Sequence, residues 1–164
     1  MTLDDVIQDD WCPEQLATLL FVVRDGEILL IHKKRGLGAG KINGPGGRLE
    51  PGETPEQAAV REVQEELCVD SVGVNMMGEL RFQLLDGLSL FVTVFKASGC
   101  IGDPQETVEA IPMWTDVENI PYDKMWSDDP YWLPLVLRDK LFRGYFLFDD
   151  DTMLDHRVDV VHEL

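Results

Sequence analysis

Three glutamates, Glu62, Glu65 and Glu66, stand at positions i, i+3 and i+4. On a helix this spacing puts all three carboxylates on one face, where like charges repel. A chain that keeps such a triple either leaves the face in water or binds a cation there. The segment around it reads as a helix over Pro55–Leu67. Thr54 is a cap, Pro55 takes the first helical position and Gln57 follows three residues after the cap. Ala59, Val60, Val63 and Leu67 fall on one apolar stripe. A solvated acidic face is the ordinary outcome for three glutamates so spaced. Three neighbours argue for more: Glu53 lies just ahead of the cap, Arg61 precedes Glu62, and Gly44, Gly46 and Gly47 allow close backbone approach upstream. Mg²⁺ and Mn²⁺ prefer oxygen ligands and are typically held by a few carboxylates plus substrate phosphates.

The rest of the chain sets the fold class. Leu16–Val23 is an apolar strand-length run, Asp25-Gly26 a turn, and Ile28–Ile31 a second strand, so the pair reads as a hairpin. A glycine-rich basic loop, Lys33–Lys41, follows. Strands are expected over Glu79–Leu85, Leu88–Ala97, Pro112–Thr115, Gly144–Phe148 and Met153–Val161, with a second helix over Leu133–Phe142. The sum is α+β with a mixed β-sheet and two helices. Residues 1–15 are polar and read as a loose arm or an extra turn, with one domain over 16–164.

Acids outnumber bases 31 to 14, a net charge of −17. That balance argues against a nucleic-acid polymer or an anionic membrane as partner, since both need clustered Lys and Arg. A small phosphorylated ligand stays open, because a bound divalent cation inverts the local field. Cys12, Cys68 and Cys100 are odd in number and far apart, which fits a reducing compartment. The acidic N-terminus is unlike a signal peptide, and the longest apolar run is too short for a membrane span. A cytoplasmic protein is expected.

Gly47, Glu53 and Arg61-Glu62-Val63-Gln64-Glu65-Glu66, followed by Cys68-Val69, resemble the Nudix box, G-x5-E-x7-R-E-U-x-E-E-x-G-U with U aliphatic. One fixed position departs: Cys68 stands where the pattern has glycine, and is expected to strain the helix cap slightly. The resemblance implies a mixed sheet sandwiched between helices and a Mg²⁺-dependent pyrophosphohydrolase, with Mn²⁺ an alternative. Glu62, Glu65 and Glu66 would bind the metal, Glu66 or Glu65 would help activate water, and Glu53 would steady the shell with Arg61. The Gly46 and Gly47 backbone would meet metal or phosphate.

Two further stretches, Lys33–Gly44 and Met125–Leu135 continued by Phe142–Phe146, resemble the MutT-type branch that acts on oxidised purine nucleoside triphosphates. That resemblance implies hydrolysis of 8-oxo-dGTP or 2-hydroxy-dATP to monophosphate and pyrophosphate by a monomer. Asn43 would bond the base edge or the sugar side, Trp126 would stack, and Asp128 and Asp129 would read the purine. Thr18, Phe82 and Lys33 match further pocket positions, although Lys33 would equally steer the triphosphate. Stacking on an aromatic platform is worth about 1–3 kcal/mol. Two adjacent carboxylates sharing a proton can both donate and accept, and 8-oxoguanine offers a donor at N7 where guanine has an acceptor. Taken alone, Asp128-Asp129 would be an ordinary dipole-complementing pair at a helix start. Leu37 stands where that branch has an aromatic, so one wall of the base pocket is expected to stack less and open more. Glu109 matches an acid near the metal, although a loop glutamate is usually just solvated. Other Nudix substrates (a plain dNTP, a dinucleoside polyphosphate or ADP-ribose) remain alternatives. So does a catalytically silent nucleotide sensor, although three crowded acids would be idle there.

Overall fold

The structure is a computed structural model and describes residues 1–164. In chain order it runs α1 (Leu3–Ile7), β1 (Gln15–Arg24), β2 (Glu27–Lys33), β3 (Ile42–Asn43), β4 (Gly46–Arg48), α2 (Pro55–Leu67), β5 (Asp70–Val72), β6 (Asn75–Leu84), β7 (Ser89–Ala97), β8 (Gly99–Ile101), β9 (Ala110–Asp116), α3 (Asp129–Leu137), β10 (Leu141–Asp149) and β11 (Thr152–Val161). The main sheet has the order β11-β10-β6-β7-β1-β2-β3, with β4 added beside β1 and β9 beside β2. It is mixed: β1 runs parallel to β7 and β10 parallel to β6, while the remaining pairs are antiparallel.

Strand alternation in β1 builds two cores. Leu20 and Val22 point to one face and pack with Ala59, Val63 and Leu67 of α2. Phe21 points to the other and packs with Trp132, Leu133 and Val136 of α3 and with Phe142 and Phe146 of β10. The sheet therefore lies between α2 and α3, the sandwich expected from the resemblance. Residues 1–15 are not loose. Leu3 and Val6 of α1 are buried against Leu147, and the Trp11 Nε1–H donates to Gln83 Oε1 at 2.9 Å.

Helix α2 spans Pro55–Leu67 as its start signal predicts, with Thr54 Oγ1 accepting from the Gln57 N–H at 3.2 Å. Its C-cap, Cys68, adopts the left-handed conformation at φ 63° that the box glycine would take, so the cap keeps its geometry and a Cβ bears the strain. A left-handed non-glycine residue costs roughly 1–2 kcal/mol, and glycine returns part of this as unfolded-chain entropy. Cys68→Gly is therefore expected to stabilise by about 0.5–1 kcal/mol. Denaturant midpoints check this, and an unchanged or lower midpoint refutes it.

Helix α3 lies earlier than the expected Leu133–Phe142. Asp128-Asp129-Pro130 starts it, with Pro130 in its first turn, and Pro134 is tolerated inside. β10 consequently begins at Leu141 rather than Gly144. This shift places Asp129 in the first turn of α3 and brings both acids to the open side of the sheet.

Candidate functional site

A polar groove and an apolar cavity meet along β4. The groove is built from α2. Arg61 is its hub: Nε and Nη2 donate to the two Glu53 oxygens at 2.7 and 2.9 Å, a bidentate pair. Nη1 donates to Glu62 at 3.0 Å and Glu65 at 3.2 Å, and Nη2 also reaches the Arg48 carbonyl at 3.1 Å. Hydrogen bonding to Arg61 and to the Glu50 N–H holds the Glu53 carboxyl below its usual range. The guanidinium thus fixes the loop before α2 to its acidic face.

The metal set read from the box, Glu62, Glu65 and Glu66, is brought together only in part. Glu65 is half exposed and turned onto Arg61. Glu109, from the loop before β9, joins the other two: oxygens of Glu62, Glu66 and Glu109 all lie within 4.8 Å of one another. Thr107 places this loop, donating from Oγ1 to the Glu66 carbonyl at 2.8 Å and accepting from the Glu109 N–H at 3.2 Å. Arg35 reaches Glu109 at 3.3 Å.

Glu66 is only 3% exposed. Burial pushes its carboxyl up to about 8. The Gly46 N–H, donating to Oε1 at 3.0 Å, works against this, while Glu62 and Glu109 add to it. Burial also raises Glu62, against the pull of Arg61. Gly47 has no room for a side chain, since a Cβ there would lie 2.6 Å from Glu62 Oε1. Three oxygen donors crowded beside bare backbone, two of them held above their usual range, fit a divalent cation. Their spacing approaches the span of a six-coordinate site with ligands at about 2.1 Å. A divalent cation at a hundredfold excess over its Kd is expected to raise Tm by about 5–10 °C. Thermal scans with and without a chelator check this. A shift that survives Glu62→Gln/Glu66→Gln/Glu109→Gln places the ion elsewhere.

The second cavity, about 380 Å³, lies on the α3 face of the sheet. Thr18, Lys33, Asn43, Gly46, Gly47, Phe82, Trp126, Asp128 and Asp129 all line it, together with Glu66. Thr18 is turned toward β4, where its Oγ1 donates to the Gly47 carbonyl at 3.3 Å. Asn43 Nδ2 donates to the Lys41 carbonyl at 3.1 Å. Phe82 stacks on Phe146 at 5.2 Å between centroids. Trp126 stands edge-on to Phe148, and Lys41 Nζ lies 5.1 Å from its centroid. The glycine-rich loop closes over this ring. Gly38, at φ 81°, is so near that a Cβ would meet Trp126 Nε1 at 2.7 Å. Lys33 Nζ donates to the Leu37 carbonyl at 2.7 Å from within that loop.

Asp128 and Asp129 do not act as a surface capping pair. Asp128 makes no cap hydrogen bond; instead Oδ2 accepts from Trp132 Nε1 at 2.8 Å. The two acids are 3% and 7% exposed. Burial raises both carboxyls, and the charge of Asp128 pushes Asp129 further. Both shifts favour a proton kept within the pair, which would present donor and acceptor side by side. Lys33, Gly36, Gly46, Arg48 and Glu66 line both the cavity and the groove, so the two are continuous.

The NUDIX domain family matches residues 13–136. The chain is 44% identical over 154 residues to an oxidized purine nucleoside triphosphate hydrolase of Danio rerio, covering 92% of this chain and 97% of that protein. A protein of the same name from Mus musculus is 40% identical over 144 residues, covering 87% and 92%. Among solved structures, a MutT protein from Bacillus halodurans superposes with a TM-score of 0.80 at 26% identity, over 88% of this chain and 97% of that one.

Proposed function

This chain belongs to the NUDIX domain family and is a Nudix hydrolase, and from that premise we propose that it sanitises the nucleotide pool by converting oxidised purine nucleoside triphosphates to monophosphate and pyrophosphate. One observation carries the substrate: a buried acid pair beside a tryptophan, in a cavity that opens directly into the acidic groove. An 8-oxoguanine base would lie against Trp126. Its N7–H would donate to the ionised member of the pair, and its carbonyl would accept the retained proton. Asn43 would bond the remaining base edge or the sugar side, and Phe82 would form part of the floor.

Glu62, Glu66 and Glu109 would hold a divalent cation, Mg²⁺ or less commonly Mn²⁺, which when bound neutralises phosphate charge and favours attack by water. Glu66 Oε1 is occupied by the Gly46 N–H, leaving Oε2 to take a proton from the attacking water. Glu65, on the open side of Arg61, is the second carboxylate able to do so. The water oxygen bonds to a phosphorus of the triphosphate, a bridging P–O bond breaks, and pyrophosphate leaves. Lys33 and the Gly46-Gly47 backbone lie along the path of the phosphates. Glu53 works through Arg61, which it orients.

Other features support the wider reading of a cytoplasmic monomer. The three cysteines are free, which fits a reducing compartment, and the residues of both cavity and groove come from one chain without need of a partner's. The test is pyrophosphate release from 8-oxo-dGTP and 2-hydroxy-dATP with and without Mg²⁺, beside dGTP, dATP, a dinucleoside polyphosphate and ADP-ribose. A higher kcat/KM for the oxidised purines is expected. Preference for another member of the panel reassigns the substrate, and no turnover of any member leaves a nucleotide-binding domain.

A further inference from the structure

Glu109 comes to the acidic cluster on a bare loop. Residues 102–109 join β8 to β9 without helix or strand, and none of them is buried. Val108, beside Glu109, is 71% exposed. With no apolar packing to hold the loop, polar bonds must. From one side the end of α2 supplies two carbonyls: Glu66 takes the Thr107 hydroxyl, and Leu67 takes the Gln105 N–H at 2.9 Å. From the other side a single residue, Lys34, grips both ends of the segment from Glu106 to Glu109. Its backbone N–H donates to the Glu109 carbonyl at 2.9 Å. Its ammonium donates to the Thr107 carbonyl at 2.8 Å and to the Glu106 carboxylate. The neighbours of Lys34 point elsewhere: Lys33 and Arg35 line the acidic groove, whereas Lys34 lines neither groove nor cavity. The middle charge of the basic run Lys33-Lys34-Arg35 is therefore turned onto the protein, away from the groove. What it opposes is the cluster itself. Three carboxylates within 4.8 Å repel one another when ionised, and Glu109 is the one carried by a loop. Arg35 offsets part of that repulsion at 3.3 Å, but with 63% of its side chain exposed it is a screened partner.

We propose that Lys34 is a positioning residue for the divalent cation: by clamping the segment from Glu106 to Glu109 it keeps the Glu109 carboxylate at the Glu62–Glu66 face against that repulsion. The inference rests on the cation site proposed above and adds to it a residue that touches neither ion nor nucleotide. Residues that orient a metal ligand in this way typically carry a roughly 10–100-fold effect on affinity. Lys34 acts through Glu109, so its removal weakens ion binding before any nucleotide arrives. Its backbone N–H survives substitution, which puts the expected loss at the lower end, about tenfold. A lysine serving the triphosphate would do the reverse, raising KM and leaving the affinity for the ion untouched.

Lys34→Met removes the ammonium and keeps the length of the side chain. Titration with Mn²⁺ alone, the free ion read by electron paramagnetic resonance, is expected to give a Kd about tenfold above wild type. Lys34→Arg restores a cation with several donors and is expected to bind Mn²⁺ within about threefold of wild type. In a Glu109→Gln background, Lys34→Met is expected to add less than about twofold, since a clamp acting through Glu109 has no ligand left to place. In hydrolysis of 8-oxo-dGTP by Lys34→Met, the half-saturating Mg²⁺ should rise about tenfold while kcat at saturating Mg²⁺ recovers to within about threefold. If Lys34→Met does not fold, Glu106→Gln decides: it loosens the same loop and is expected to weaken Mn²⁺ binding about threefold, and an unchanged Kd overturns the proposal. An unchanged Mn²⁺ Kd in Lys34→Met with a raised KM for the triphosphate makes Lys34 a phosphate residue; it overturns the proposal and leaves the cation site standing. Equal losses with and without Glu109 overturn it too. Wild-type protein that binds Mn²⁺ no more tightly than Glu109→Gln takes Glu109 out of the site, and the cation reading of the cluster then fails together with the clamp.

Discussion

Glu66→Gln is expected to lower kcat for an oxidised purine triphosphate by about 10³-fold or more while the protein stays folded. The amide oxygen can still accept the Gly46 N–H that Oε1 accepts at 3.0 Å, so the link between α2 and β4 survives. What goes is the negative charge, and with it both a cation ligand and a proton acceptor. The charge is also a burden on the fold. Glu66 is nearly inaccessible, burial lifts its carboxyl to about 8, and Glu62 and Glu109 press on it from the same cluster. Without a divalent cation, the variant should therefore melt at or above the wild-type temperature. Calorimetric titration with Mg²⁺ and single-turnover pyrophosphate release separate the two roles. Weakened ion binding with near-normal turnover at saturating Mg²⁺ would leave Glu66 as a ligand only, and would move the proton to Glu65.

Asp129→Asn should split stability from activity in opposite directions. Burial and the Asp128 charge raise the Asp129 carboxyl well above the ordinary range, so the folded state keeps a proton that the unfolded chain releases. An acid raised on folding favours the native state fully below its unfolded titration, and that advantage drains away as pH rises through the folded one. The amide does not ionise and avoids this loss. At pH 8 the variant is expected to melt about 2–4 °C above wild type, with a smaller difference at pH 5. Its kcat/KM for 8-oxo-dGTP is expected to fall by about 10²-fold, because a fixed amide donor replaces a proton shared with Asp128, and the pair can no longer adjust donor and acceptor to the base. Thermal scans at the two pH values and a paired assay on dGTP and 8-oxo-dGTP check both halves. A variant that loses activity and stability together would make Asp129 a structural residue instead.

The helix and its acids were legible because everything that sets them is local. Thr54, Pro55 and Gln57 start α2 within one turn, and i, i+3, i+4 spacing needs only the helix period. Arg61 was legible as a partner of nearby acids, but not as the hub that draws Glu65 away from the cluster. Glu109 is more than forty residues from Glu66, and the contact that delivers it is a threonine hydroxyl on a helix-end carbonyl. A Thr-x-Glu in a loop carries no periodicity to mark it, so only the family resemblance pointed to Glu109. β3 and β4 escaped notice because Ile42-Asn43 and Gly46-Gly47-Arg48 are too short and too glycine-rich to show a strand pattern. The start of α3 was misplaced because two prolines compete for a first turn, and Pro130, not Pro134, takes it. The N-terminal arm looked polar because Leu3, Val6, Ile7 and Trp11, which carry its packing, are scattered among acids and make a weak signal.

The base cavity and the acidic groove share Gly46 and Glu66 and are joined without a hinge between them. β4 pairs with β1 from Ala17 to Leu19, and the Arg61 contact with the Arg48 carbonyl ties it to α2. The fold is in this sense a gauge of fixed length. A nucleotide seated by its base would present to the acids whichever phosphorus lies at one set distance. The bond that breaks would then be chosen by rigid spacing along β4, before any difference in phosphate reactivity is felt.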